Sequence, residues 1–355
     1  MISYKGKIVL KDTVLEGYVS VFNDNIVYVG KECPKGKIVD FGNSYITPGL
    51  IDIHCHSSFN NSATENPKEV ADFHLSHGVT TMLLTYYKDV PHDKLLVCLD
   101  KVKKLVEDGG NVYGAHLEGP YISGAQGYCA GERFDVSPDV NVYSEYLKFG
   151  IIRQWTSAPE IDGVIEFIKE IRKQGVIPAI GHSNASYTQV KNAYDNGAKI
   201  VTHIFDATGT AQVGAFKGTK DVSFDESCML MDDMYYEVIC DAEWVHVRKE
   251  KLDLLIKTVG IDKIVAITDI DCAGLKDDGR DIAVVNGQLF GTKLTLDKVA
   301  MNLFNAGYRI EDIFKMVSYN PARALNLLDR GEIDAGKKAH LCVFDEQMKF
   351  VKVLK

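Results

Sequence analysis

Six ionisable residues stand where short apolar runs end: His54 and His56 in LIDIHCHSS, Glu118 in VYGAHLEGPYI, His182 in VIPAIGHSNA, His203 in AKIVTHIFDA and Asp269 in IVAITDIDCAG. Residues two apart in an extended chain point to the same side, so the imidazoles of His54 and His56 share one face, the inside if Ile51 and Ile53 face out. Two neutral imidazoles converging on one point make a metal site. Glu118, His182 and His203 would reach the same mouth from three other strands, and histidines with one carboxylate form a ligand field that suits Zn(II) or Fe(II). Asp269 closes the last run. A lone carboxylate opposite a metal-bound water is placed to take its proton and later deliver it to a leaving nitrogen. A single histidine is more often a hydrogen-bonded structural residue, and those at 74, 77, 92 and 340 fall in helices or loops and read that way. Four histidines and two carboxylates, all at strand ends, are a constellation.

Such a set needs a scaffold that brings strand ends together. After Pro48-Gly49 the chain shows eight Val- and Ile-rich runs, the five above with VTTMLLTYY, IIRQWTSAPE and YYEVICDAEW, each followed by a segment of helical periodicity. Eight βα units over about 230 residues are the count of a TIM (β/α)8 barrel, an α/β fold whose active sites lie at the C-terminal ends of its strands. The helices are legible at 163–174 and 249–259, both followed by a glycine stop. From Ile8 to Gly49 only short strands fit, with a turn at Asn23-Asp24-Asn25, and the tail GEIDAGKKAHLCVFDEQMKFVKVLK returns to alternation. The expected organisation is a small β-sandwich domain from both termini, residues 1–48 and 329–355, around a catalytic barrel at 49–328.

The chain of 355 residues is long enough for a sizeable core, and 46% hydrophobic with 25% charged residues excludes a disordered or collagenous class. Its net charge is −9, from 40 basic and 49 acidic residues, with no dense Lys or Arg cluster, which argues against nucleic acid or an anionic membrane as partner. The N-terminus lacks the apolar stretch of a signal peptide and no segment reaches the ~18 apolar residues of a membrane span, so a cytoplasmic location is expected. Eight cysteines without a C-x-x-C pair argue against a structural zinc site, and most of them read as buried residues in a reducing compartment.

The sequence resembles the amidohydrolase superfamily and, within it, the N-acetylglucosamine-6-phosphate deacetylases. The resemblance is carried by ITPGLIDIHCH at 46–56, HLEGPYIS at 116–123, SAPE at 157–160, GHSNA at 181–185, THIFDA at 202–207, AITD at 266–269, GQLFGTKLTLD at 287–297 and SYNPARALNL at 318–327. It implies a barrel with a small β-sandwich and one or two divalent metal ions per chain, zinc first and iron as the alternative. Glu118, His182 and His203 would hold the principal ion, His54 and His56 can hold a second, and Asp269 would be general base and acid. It also implies a homodimer and a small-molecule substrate, an N-acetyl amino sugar such as N-acetylglucosamine 6-phosphate, deacetylated by metal-activated water.

The substrate-facing positions depart from the family pattern. Cys129 stands where family members carry a histidine, Asp206-Ala207 replaces Asn-Ala, and between Thr208 and Asp233 the chain offers Lys217 and Lys220 but no arginine. His246 in CDAEWVHV matches the histidine of a D-G-x-H-V segment, with two extra residues before it. Cys129, Asp206, Ala207 and His246 are therefore the candidate substrate contacts, with Glu132 and Arg133 as further ones. Two alternatives follow: an amidohydrolase or deaminase acting on another, unphosphorylated small molecule, or a sugar-binding relic without turnover. A pure binder has no need of Asp269 beside the metal.

Overall fold

The protein is described from a computed structural model, over residues 1–123, 136–209, 216 and 218–354. Four strands open the chain: β1 (Ile2–Val9), β2 (Val14–Phe22), β3 (Asn25–Gly30) and β4 (Lys37–Pro48). The β2–β3 turn is the expected one, with Asn23 and Asp24 both in the left-handed region, as a two-residue hairpin turn matching strand twist requires. The eight apolar runs then form eight strands: β5 (Leu50–Cys55), β6 (Val79–Tyr87), β7 (Val112–Glu118), β8 (Ile152–Ser157), β9 (Ile177–Ile180), β10 (Ile200–Val201), β11 (Tyr235–Ile239) and β12 (Ile264–Ile267). They are parallel neighbours in sequence order. The backbone N–H of Asp269 donates to the carbonyl of His54 at 3.0 Å and that of His56 to Ile270 at 3.0 Å, which closes the eight strands into a barrel. A hairpin of β13 (Ile282–Val285) and β14 (Gln288–Thr292) follows. The tail supplies β15 (Leu341–Phe344) and β16 (Phe350–Leu354), and β15 pairs antiparallel with β4, so both termini share one six-stranded sheet, β16-β15-β4-β1-β2-β3.

Helices wrap the barrel because their apolar residues recur every three or four positions. In the helix α1 (Pro67–Ser76), α2 (His92–Asp108), α3 (Val140–Leu147) and α4 (Val164–Lys173) series, α4 shows this best: Val164, Phe167, Ile168 and Ile171 are its buried stripe. Phe167 packs edge-on against Trp155 of β8 at 4.9 Å, and each such fully buried side chain stabilises the fold by roughly 1.5–3 kcal/mol. The barrel interior is a separate apolar cluster of Leu83, Ala179, Ile200, Val265 and Ile267, sealed by Ala322, Leu325 and Leu327 near the end of the last helical stretch. No helix among the described residues is long and apolar enough to cross a membrane.

One expectation about β5 is corrected. Ile51 and Ile53 do not face out; they belong to the interior cluster. The β5–β6 register runs from Asp52 opposite Met82 to Cys55 opposite Leu84, three residues against two. The extra residue is a bulge that breaks the alternation, so Ile53 and His54 both point inward. His54 and His56 still share a face, their Nε2 atoms 3.2 Å apart. Thr268 clamps this point, its hydroxyl donating to Asp52 at 2.7 Å.

His74 of α1 fixes the loop after His56, its Nε2 lying 3.0 Å from the carbonyl of Ser57 while Nδ1 has no hydrogen-bond partner among the described residues. Burial pushes its pKa down to about 4. An unfolded histidine titrates near ~6.5, so this contribution to stability is whole above that pH and is lost as pH falls toward 4, about 3 kcal/mol in all. We expect His74→Gln, which cannot take up that proton, to lose less stability than wild type between pH 7 and pH 5 in denaturant melts. Equal losses would remove His74 as the source.

Candidate active site

The bulge in β5 and the C-terminal ends of β7, β9, β10 and β12 bring six side chains to one point. Glu118 lies at its centre. Its Oε1 is 2.8 Å from His182 Nε2 and 2.9 Å from His203 Nε2, while Oε2 is 3.2 Å from His56 Nε2 and 3.4 Å from His54 Nε2. The imidazoles meet in pairs, His54 with His56 at 3.2 Å and His182 with His203 at 3.1 Å between Nε2 atoms. Asp269 Oδ1 stands 3.3 Å from His54 Nε2 and 3.4 Å from His56 Nε2.

Two ligand triads share Glu118: His54, His56, Glu118 and Glu118, His182, His203. Ligand atoms at ~2.0–2.1 Å from a tetrahedral zinc lie about 3.3 Å from one another, and the pairs here span 2.8 to 3.4 Å. Electrostatics agrees with geometry. Burial alone would strip His56 of its proton, but hydrogen bonds to Asp269 and Glu118 outweigh it and push the pKa up to about 10. His203 is likewise raised to about 9, against burial, by the hydrogen bond to Glu118. The buried carboxylates draw positive charge to the cluster's centre, a demand that a divalent cation meets. The donor set fits one.

The backbone is bent to make this possible. His182, His203 and Asp269 all have positive φ, at 46°, 26° and 45°, a conformation that costs a non-glycine residue about 1–3 kcal/mol and concentrates at functional sites. Gly291 of β14 lies against the carbonyl of Asp269 so closely that a Cβ there would sit 2.6 Å from it. Glu160 of the SAPE motif accepts the Ser183 hydroxyl at 2.6 Å and the Asn184 N–H at 2.8 Å, pinning the loop that carries His182.

The cluster floors a cavity of about 320 Å³, walled by Tyr87, Asp206, Ala207, Asp271 and residues 288–291 of the β14 hairpin. Among the described residues lining it there is no Lys or Arg. Of the candidate substrate contacts, Asp206 and Ala207 therefore lie on the cavity. His246 does not line it; it is buried, with Nδ1 3.2 Å from Asp241. Cys129, Glu132, Arg133 and Lys217 lie outside the described residues.

Sequence reasoning missed a buried polar layer beneath the cluster. Glu237 of β11 lies 3.0 Å from His54 Nδ1 and accepts Gln154 Nε2 at 2.6 Å. His116, two residues before Glu118, bridges Thr156 at 2.8 Å and Thr85 at 3.3 Å, and burial holds its pKa well below the ordinary histidine value. The signal for Glu237 was present: one carboxylate inside the apolar run YYEVI. Tyr87, at the end of β6, satisfied the same strand-end rule as the six.

A sequence model described as the amidohydrolase family matches residues 45–355. Among curated proteins, the N-acetylglucosamine-6-phosphate deacetylase of Lysinibacillus sphaericus is 27% identical over 338 residues, covering 88% of this chain and 84% of its own. That of Bacillus subtilis (strain 168) is 26% identical over 373 residues, covering 96% and 91%. Among solved structures, the N-acetylglucosamine-6-phosphate deacetylase of Thermotoga maritima superposes with a TM-score of 0.83 at 28% identity, over 99% of this chain and 97% of the other. A mutant of the Mycobacterium smegmatis deacetylase in complex with N-acetyl-D-glucosamine-6-phosphate gives 0.88 at 24%, over 100% and 97%.

Proposed function

The chain belongs to the amidohydrolase family, and from that premise we propose that it is a metal-dependent hydrolase that removes the acetyl group from an N-acetyl amino sugar, N-acetylglucosamine 6-phosphate being the substrate its relatives are named for. The observation that carries this reading is the convergence of four imidazoles, Glu118 and Asp269 on the floor of one cavity. Glu118, His182 and His203 would hold the principal ion, zinc before iron for so nitrogen-rich a set, and His54 and His56 with Glu118 a second. A divalent cation bound there supplies Lewis acidity, polarising the amide carbonyl and acidifying water. Asp269 does the proton work: its carboxylate takes a proton from the attacking water and, as the C–N bond breaks, gives one to the departing nitrogen, leaving acetate and the free amine. Asp206, Ala207 and the β14 hairpin form the wall that would meet the sugar.

On this reading the barrel at 49–328 is the catalytic domain, with a small β domain from 1–48 and 329–355, and the enzyme is a cytoplasmic homodimer. The seven described cysteines are all free, in keeping with a reducing compartment. Light scattering at a single-chain mass would remove the dimer.

The deciding experiment is free-amine release by metal-loaded protein from N-acetylglucosamine 6-phosphate, the unphosphorylated sugar and their galactosamine epimers. We expect turnover of the phosphorylated sugar. The carboxylate of Asp206 on a wall without described cations favours testing the unphosphorylated sugar beside it. No release from any of the four, with metal bound, would retain the barrel and sink the deacetylase.

A further inference from the structure

Glu237 is the lone charged residue of β11, and its side chain has no exposure to solvent. Taking a carboxylate out of water is costly unless it is paired, so one buried on a barrel strand requires a partner that needs its charge. Gln154 Nε2 donates to Oε1 at 2.6 Å; on Oε2 lie His54 Nδ1 at 3.0 Å and the backbone N–H of His203 at 3.4 Å. A carboxylate only accepts, so Nδ1 of His54 carries a proton, and Nε2, the atom facing His56, Glu118 and Asp269, is the one left to offer its lone pair to a cation. Among the described residues no carboxylate backs the outer ring nitrogens of the other half. His203 Nδ1 lies 3.2 Å from the carbonyl of Asp206, and His182 Nδ1 is buried with no hydrogen-bond partner among the described residues.

Resting on the metal reading above, we infer that Glu237 is the positioning residue of the His54–His56 half: it fixes the His54 tautomer and adds negative charge behind that ring, so that half's hold on a divalent cation depends on Glu237, whereas the Glu118–His182–His203 half meets its carboxylate only through the long backbone contact of His203 and depends on it far less. The geometry makes the two halves separable by one isosteric change. Glu237→Gln keeps the volume and a carbonyl oxygen but removes the charge.

The test is metal stoichiometry and affinity, by zinc titration against a chelating dye. Wild type should bind two ions per chain, and Glu237→Gln should lose affinity for one of them by roughly 10–100-fold and keep the other unchanged. The double swap Glu237→Gln with Gln154→Glu preserves the buried acid–amide pair and the net charge but moves the carboxylate off His54. It should fold and still bind one ion tightly, whereas a purely structural role would be rescued by it. Wild-type affinity for both ions in Glu237→Gln, equal loss of both in a folded variant, or full rescue by the swap would each overturn the assignment. A wild type that binds a single ion would overturn it too, while leaving the Glu118–His182–His203 site standing.

Discussion

Asp269→Asn is expected to lower kcat by roughly 10²- to 10⁴-fold, the usual worth of a positioned proton carrier, with little change in melting temperature or in the number of ions bound. The side chain stands at the rim of the cluster, 14% exposed, touching Nε2 of His54 and His56 on one side and facing the cavity on the other. Burial works to raise its pKa, but His54 and the other imidazoles around it hold it well below the usual carboxylate range, so it is ionised at neutral pH and ready to accept a proton. The amide has the same shape, keeps one acceptor oxygen and cannot take a proton. Its backbone, at positive φ against Gly291, is indifferent to the swap. Asp271 makes the control, since it lines the same cavity two residues on. If Asp269→Asn kept more than a tenth of wild-type kcat, or fell no further than Asp271→Asn, Asp269 would not be the proton carrier.

Why the six converging residues were legible, and their support was not, follows from how each is encoded. A polar residue that ends an apolar run breaks a local pattern, and in a parallel barrel all such ends lie on one face, so His182, His203 and Asp269 are found one strand at a time. The bulge in β5 breaks no pattern in composition. It exists only in the pairing of β5 with β6, and so the facing of Ile51 and Ile53 differs from the expected one while the His54–His56 pair, whose alternation survives the irregularity, does not. Gln154 and His116 sit in mid-strand, where alternation marks them as inward polar residues without saying what they meet. The wall at residues 288–291 comes from a hairpin after the eighth strand, and nothing local to GQLFGT shows that it folds back over Asp269. Glu237 is the instructive miss. A carboxylate within YYEVI breaks the same rule as the site residues, and applying that rule inside strands as well as at their ends would have found it.

Replacing Glu118 by Gln should do what no other single change can, which is to empty both halves of the cluster. Each carboxylate oxygen serves a different pair of imidazoles, and both triads count Glu118 as a member. An amide offers one neutral oxygen, and its NH₂ group would point a donor at two Nε2 atoms whose lone pairs a cation requires. We therefore expect well under one ion per chain in Glu118→Gln and activity indistinguishable from the Asp269→Asn background. Thermal melting gives an independent readout. Saturating zinc at a thousand times its Kd stabilises a single-site protein by about 4 kcal/mol, so wild type should melt markedly higher with the metal than without it, and Glu118→Gln should show almost no difference. The comparison with Glu237→Gln is the sharp one: that variant should retain the part of the zinc-dependent rise that belongs to the His182–His203 half. Two ions retained in Glu118→Gln would mean that the triads do not share their carboxylate, and the arrangement drawn here around Glu118 would have to be abandoned.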